Sequence, residues 1–176
     1  MREKMTLQAS LGEEESPIRS EEAFFLERDA LFAIAQQRKL PLDVRMRNLL
    51  CEAKASMPVK SNCEWAAFYA SLERMDSSFD RVIEKMGELS FADCEGQEDE
   101  LLFEQLLVYF LYRHYIPENG SAAVAFSVHA TRLLREIALN GGLSFEETVD
   151  LCRLYSSEIE YSEENTEKLM LLFEND

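Results

Sequence analysis

Two long apolar stretches separated by a single turn constrain this chain more than any other feature. Leu101-Leu102-Phe103, Leu106-Leu107-Val108, Phe110-Leu111 and Tyr115 cover more than half of a helix's circumference, and a helix apolar on most faces is buried. Pro117-Glu118-Asn119-Gly120 then turns the chain. Ala122 to Ala138 follows, small and apolar on nearly all sides until Arg132, Arg135 and Glu136, and Asn140-Gly141-Gly142 stops it. Two consecutive buried helices make the centre of a bundle. The small residues at 122, 123, 125, 127 and 130 permit close helix approach there.

The remaining segments read as a helical shell. Ser20 before Glu21 and Glu22 has the form of an N-cap followed by acids that favour the positive end of the helix dipole. Apolar positions 24, 25, 31, 32, 34 and 35, with the stem of Arg28, predict a helix from Ser20 to Arg38. Lys39-Leu40-Pro41 breaks it, and Leu42, Met46, Leu49, Leu50 and Ala53 form a second stripe with Asp43 in its first turn, ending before Pro58. Asn62 is the expected cap of a third segment holding Trp65, Phe68, Tyr69, Leu72 and Met75. Asp76-Ser77-Ser78 ends that segment and starts a fourth with Phe79, Val82, Ile83, Met86 and Leu89, before an acidic, polar loop from Ser90 to Glu100. Ser144 with Glu147 three residues on has the capping-box form. It opens a helix through Leu151, Leu154, Tyr155 and Ile159, which Ser162 restarts or continues towards Phe173. No run alternates with period two. The expectation is an all-α, single-domain bundle of about six to eight helices around two central apolar ones, with residues 1–19 a flexible leading segment and 20–176 the domain.

Charge narrows the function classes. The 176 residues carry 34 acidic and 18 basic side chains, a formal charge of −16. Nucleic-acid binders carry a basic stripe that displaces counterions from phosphates, so no nucleic-acid partner is expected. Apolar residues make up 47% of the chain, enough for a core, so the acidity is not that of a disordered tail. No window approaches about 18 uninterrupted apolar residues, so no membrane span is expected. The charged residues near Met1 lack the apolar run of a secretory signal, which makes a cytoplasmic location the expectation. The charge is also uneven. Arg28 to Lys60 holds seven basic and three acidic residues, whereas Ser144 to Asp176 holds ten acidic and two basic. Either these are solvated helix faces, or two lobes of opposite sign steer a partner or pack on one another, the steering fading beyond about 8 Å at physiological salt.

Familiar catalytic motifs are missing. Cys51, Cys63, Cys94 and Cys152 form no CxxC pair, and His114 and His129 stand alone in apolar patterns, so no metal site is expected. Gly141-Gly142 follows a helix rather than a strand, which excludes a phosphate loop, and no G-x-S-x-G elbow exists. Tyr109, Tyr112 and Tyr115 recur at i, i+3, i+6, and Arg113 and His114 interrupt the apolar pattern of a central helix. Two readings are open there. In one, Arg113 pairs with a carboxylate and the tyrosine hydroxyls find backbone acceptors. In the other, Tyr112 and Arg113 line a polar pocket that orients a carboxylate or an aromatic group, or a small-ligand site reaching His129. Near the end, Glu158, Ser162 and Glu163 fall on neighbouring turns, with Ser162 either capping a helix or contributing to an acidic surface that receives a cationic lysine.

Three ordered segments carry a resemblance. Phe24-Phe25-Leu26-Glu27-Arg28-Asp29-Ala30-Leu31 runs on through Gln36-Gln37-Arg38 to Pro41-Leu42-Asp43-Val44-Arg45; Leu107 to Tyr115 is an aromatic, Tyr-Arg-bearing stretch; and Leu154-Tyr155-Ser156-Ser157-Glu158-Ile159-Glu160-Tyr161-Ser162-Glu163-Glu164-Asn165 is the most specific. Together, from about Phe24 to Phe173, they resemble the C-terminal half of the flagellin lysine-N-methylase family, which often has His where this chain has Tyr161. The resemblance implies S-adenosylmethionine-dependent protein lysine methylation, with S-adenosylmethionine as donor and a lysine-bearing protein such as flagellin as partner; the residues by themselves demand no cofactor. The family also carries an upstream cysteine cluster of the CxxxCC type, which these residues lack, so autonomous catalysis is not expected. The candidate pocket or partner surface comprises Tyr112, Arg113, His114, His129, Tyr155, Glu158, Ser162 and Glu163. The alternative is a non-enzymatic helical protein-interaction module that binds a basic partner and no methyl donor.

Overall fold

A computed structural model describes residues 21–88, 100–116 and 118–174. The expectations for residues 1–19, Ser20, Cys94 and nearly all of the acidic loop lie outside them. Along the chain run α1 (Glu21–Ala35), α2 (Leu42–Glu52), α3 (Asn62–Ala70), a 3₁₀ turn (Ser77–Phe79), α4 (Asp80–Glu88), α5 (Glu100–His114), α6 (Gly120–Gly141), α7 (Phe145–Tyr155), a π-helical segment (Ser156–Glu160) and α8 (Glu163–Glu174). Among the described residues there are eight α-helices and no strand, so the chain is all-α.

α6 is the axis of the fold. Its 22 residues span about 33 Å at 1.5 Å per residue. Fifteen of them, from Ala122 to Ala138, are buried. The helix packs against α2, α4, α5, α7 and α8, which explains why it is apolar all round. Ala122, Ala123, Ala125, Ser127 and Ala130 keep its surface low enough for five neighbours. Gly142 then takes the left-handed conformation at φ 57°, and the Leu143 amide bonds to the Ala138 carbonyl at 2.9 Å, which closes the helix as a glycine C-cap does.

α5 departs from the expectation of a second fully buried helix. Phe103, Leu107, Phe110 and Leu111 face the core, but Leu101, Tyr109 and Tyr112 are exposed. The helix packs mainly on α6 and α1, so part of its surface meets water. Tyr112, 64% exposed, therefore lies outside the bundle centre. It packs under the Arg28 guanidinium, 5.3 Å from the ring centroid. Boundaries shift elsewhere too. α1 ends at Ala35 rather than Arg38 because Gln36 to Arg38 tighten into successive turns. α3 is capped by Ser61, not Asn62: the Ser61 hydroxyl accepts from the Glu64 amide and the Glu64 carboxylate accepts from the Ser61 amide. The box anticipated at Ser144 and Glu147 is present.

Candidate functional site

The candidate residues fall into three local arrangements. The first is built around His129 on α6. Its Nε2 lies 3.1 Å from the Tyr69 hydroxyl, which lies 3.2 Å from the Tyr155 hydroxyl. Trp65 from α3 stacks on the imidazole at a centroid distance of 4.0 Å, and Phe173 from α8 closes the group at 5.6 Å. Tyr69 and Tyr155 are fully buried, and burial raises both phenol pKa values. Burial likewise pulls the His129 pKa down to about 3, with the Arg132 charge acting the same way, so the ring is neutral at physiological pH. His129 and Trp65 form part of the wall of a pocket of about 310 Å³ that also meets Met57, Lys60, Met86 and Leu133.

A pH dependence follows from that buried histidine. Below an unfolded-state pKa of 6.5 the unfolded chain takes up a proton that the folded ring refuses until about pH 3, so stability falls as pH falls through that window. Between pH 7 and pH 5 this amounts to about 2 kcal/mol. Urea midpoints at the two values should drop accordingly for the parent chain, and the drop should shrink by that amount in His129→Phe.

The second arrangement joins the end of α5 to the π segment. The Glu160 carboxylate, sealed from solvent, lies 2.9 Å from His114 Nε2 and 3.1 Å from Arg113 Nε, and accepts from the Ser156 hydroxyl and, at 3.4 Å, from Tyr109. Burial by itself would raise this carboxyl's pKa, but the hydrogen bonds from His114 and Ser156 outweigh it and hold the pKa below the ordinary range. Arg113 thus has a carboxylate partner, and its guanidinium also sits 5.8 Å from the Tyr161 ring.

The third arrangement contains the most specific of the sequence motifs. Glu158 is fully buried, and its carboxylate accepts from the Met75 amide at 3.0 Å and from the Asp76 amide, with Arg74 Nη1 at 3.5 Å. Asn165 is equally buried: its Oδ1 accepts from the Glu73 amide at 2.9 Å, while Nδ2 donates to the carbonyls of Glu73 and Glu158. Ser162 accepts from the Asn165 amide, as a helix cap does, and donates to Glu73 Oε2. The segment between α3 and the 3₁₀ turn has no ladder of its own. These side chains satisfy its amides. The π segment makes this work from both sides. Its bond from the Tyr161 amide to the Ser156 carbonyl spans five residues, and Glu158, Ile159 and Glu160 are all buried in succession, Glu158 against Glu73–Asp76 and Glu160 against α5. Glu163, one turn on, is exposed.

One buried site escaped the sequence. Arg45 on α2 and Glu104 on α5 are each 1% exposed and meet at 2.6 Å; Arg45 also donates to the Ala35 carbonyl, and Arg38 grips the same carboxylate at 2.8 Å. Burial of Glu104 opposes ionisation, yet the Arg38 and Arg45 hydrogen bonds prevail and its pKa is lowered. The signal that could have found it is an acid set inside the apolar run of α5.

Among the described residues no group of His, Cys, Asp and Glu could hold a metal ion, and no helix is long and apolar enough to cross a membrane. The fold and these arrangements define a helical domain whose buried acids and amide side chain fasten its own loops, with a small apolar pocket at one edge. The chain belongs to the FliB lysine N-methylase C-terminal domain family, whose model matches residues 67–176. That match begins within α3. It covers Glu104, His114, His129, Tyr155 and the Glu158–Asn165 fastening, and leaves out α1, α2 and Trp65. No curated protein and no solved structure matches the chain.

Proposed function

We propose that this chain acts in S-adenosylmethionine-dependent lysine methylation of a protein such as flagellin, in the cytoplasm, as a helical domain that works beside a catalytic one and not as an autonomous methyltransferase. The observation that carries the reading is the family membership over residues 67–176, taken with the way the family-like segments are used. Glu158 and Glu160 each have both carboxylate oxygens engaged by neighbouring backbone or side chains, which leaves neither available as a base for a substrate ammonium.

The fit to the methyl donor points the same way. A sulfonium cation and a ribose diol call for carboxylates, and the pocket beside Trp65 is lined by Lys60 and Arg132 and by no acid. A wider cleft of about 700 Å³ does bring Glu27, Glu52 and Glu118 together, but all three are exposed, where water screens them. Neither lining offers a buried carboxylate to the donor. The purified chain, incubated with S-adenosylmethionine and flagellin and read by mass spectrometry, should give no methylated lysine. Methylation by the chain alone would overturn the reading.

A further inference from the structure

The His129 group has a direction. Tyr155 is fully buried and its hydroxyl has one partner among the described residues, Tyr69. If the chain of hydrogen bonds ran from His129 through Tyr69 to Tyr155, the Tyr155 proton would end in the core with no acceptor, a loss of about 1–3 kcal/mol. The opposite direction satisfies every member. Tyr155 donates to Tyr69, Tyr69 donates to His129 Nε2, and the neutral imidazole carries its hydrogen on Nδ1. Nδ1 has no hydrogen-bond partner among the described residues, nor is it one of the sealed polar atoms left without one. His129, 94% buried by its 6% exposure, lines the pocket. An imidazole N–H therefore serves that pocket as an unused donor.

The rest of the lining specifies the ligand. Trp65, Met57, Met86, Leu133, Pro58 and Val59 make an apolar wall, with Val59 wholly exposed at the lip. Lys60 and Arg132 supply the only charges of the lining, both positive. The acids near them, Glu64 beside Lys60 and Glu136 bonded to Arg132 at 2.8 Å, do not line it. The charged groups of the lining itself therefore offer partners to a carboxylate and none to an ammonium group. We propose that the pocket between the α2–α3 connection and α6 binds a small apolar carboxylate, its chain against Trp65 and the two methionines and its carboxylate at His129 Nδ1–H and Lys60. This site lies outside the methylation reading and does not depend on it, since much of its wall precedes residue 67.

Trp65 is the only tryptophan, so its emission reports on this pocket alone. The full chain is titrated with octanoate, octan-1-ol and octylammonium, all below their micelle thresholds. Octanoate should change the emission saturably and bind about tenfold more tightly than octanol, the ratio expected of one charge-assisted hydrogen bond, and octylammonium should not bind. Lys60→Ala, on an irregular segment where folding is not at stake, should weaken octanoate severalfold and leave octanol unchanged. Equal affinity for octanoate and octanol, preference for octylammonium, indifference to Lys60→Ala, or no saturable change with octanoate would each overturn the proposal.

Discussion

Replacing Glu104 with alanine should destabilise the fold by about 3–5 kcal/mol, the loss typical when one member of a buried ion pair is removed. The reason is Arg45. Its guanidinium is 1% exposed, its other contacts are the Ala35 carbonyl at 2.8 Å and Glu100 at 3.3 Å, and without Glu104 its charge would sit in the core against weaker partners. Glu104→Gln should cost less, because an amide oxygen still accepts from Arg45. The same carboxylate makes an acid-sensitive contribution. A pKa depressed below the ordinary 4.5 means that its stabilisation is complete above that value and is lost as the pH falls through the folded-state value. Urea denaturation of the two variants at pH 7 measures the first effect. Repeating it down to pH 3 should show that Glu104→Gln loses less stability on acidification than the parent.

The second large effect separates residues that are neighbours in the sequence. Glu158→Ala and Asn165→Ala should each cost about 2–4 kcal/mol, because each removes a fully buried side chain that bonds two backbone groups of the Glu73–Asp76 segment. Glu163→Ala removes an exposed acid of the same motif, and substitutions of that kind stay within about 0.5 kcal/mol. Thermal unfolding of the three variants side by side would read the contrast. Three equal, small shifts would mean that the motif does not fasten the fold.

How much of this was legible in the sequence depended on whether the cause was local. Helix ends written in glycine or in a capping pair could be read directly: Gly142 stops α6, and Ser144 with Glu147 opens α7. Ser61 was missed although Glu64 stands three residues on, because Asn62 is an equally good cap by type and composition alone does not rank them. The π segment was invisible. An extra residue in a turn changes which side chains point inward, and nothing in the pattern Ser156–Glu160 distinguishes it from an α-helix that simply ends. Long-range pairings were invisible for a different reason. The local excess of positive charge between Arg28 and Lys60 looked like a possible steering surface, yet Arg38 and Arg45 are held by Glu104, 66 and 59 residues away. Asp43 in turn meets Arg135 at 3.0 Å. Such contacts depend on how α2, α5 and α6 cross, which no single helix encodes. The aromatic helix α5 misled in the other direction. Its apolar residues outnumber the faces that neighbours cover, so Tyr109 and Tyr112 stay exposed.

The amide hydrogens of Met75 and Asp76 offer the most direct test of the claim that the Glu158–Asn165 motif is a fastening within the domain. Both belong to a segment outside regular helix, and both donate to the buried Glu158 carboxylate. Measured by hydrogen exchange with residue resolution, they should be protected almost as strongly as the amides of α6 and exchange only when the bundle itself opens. Exchange as fast as that of an unstructured loop, with α6 still protected, would contradict it.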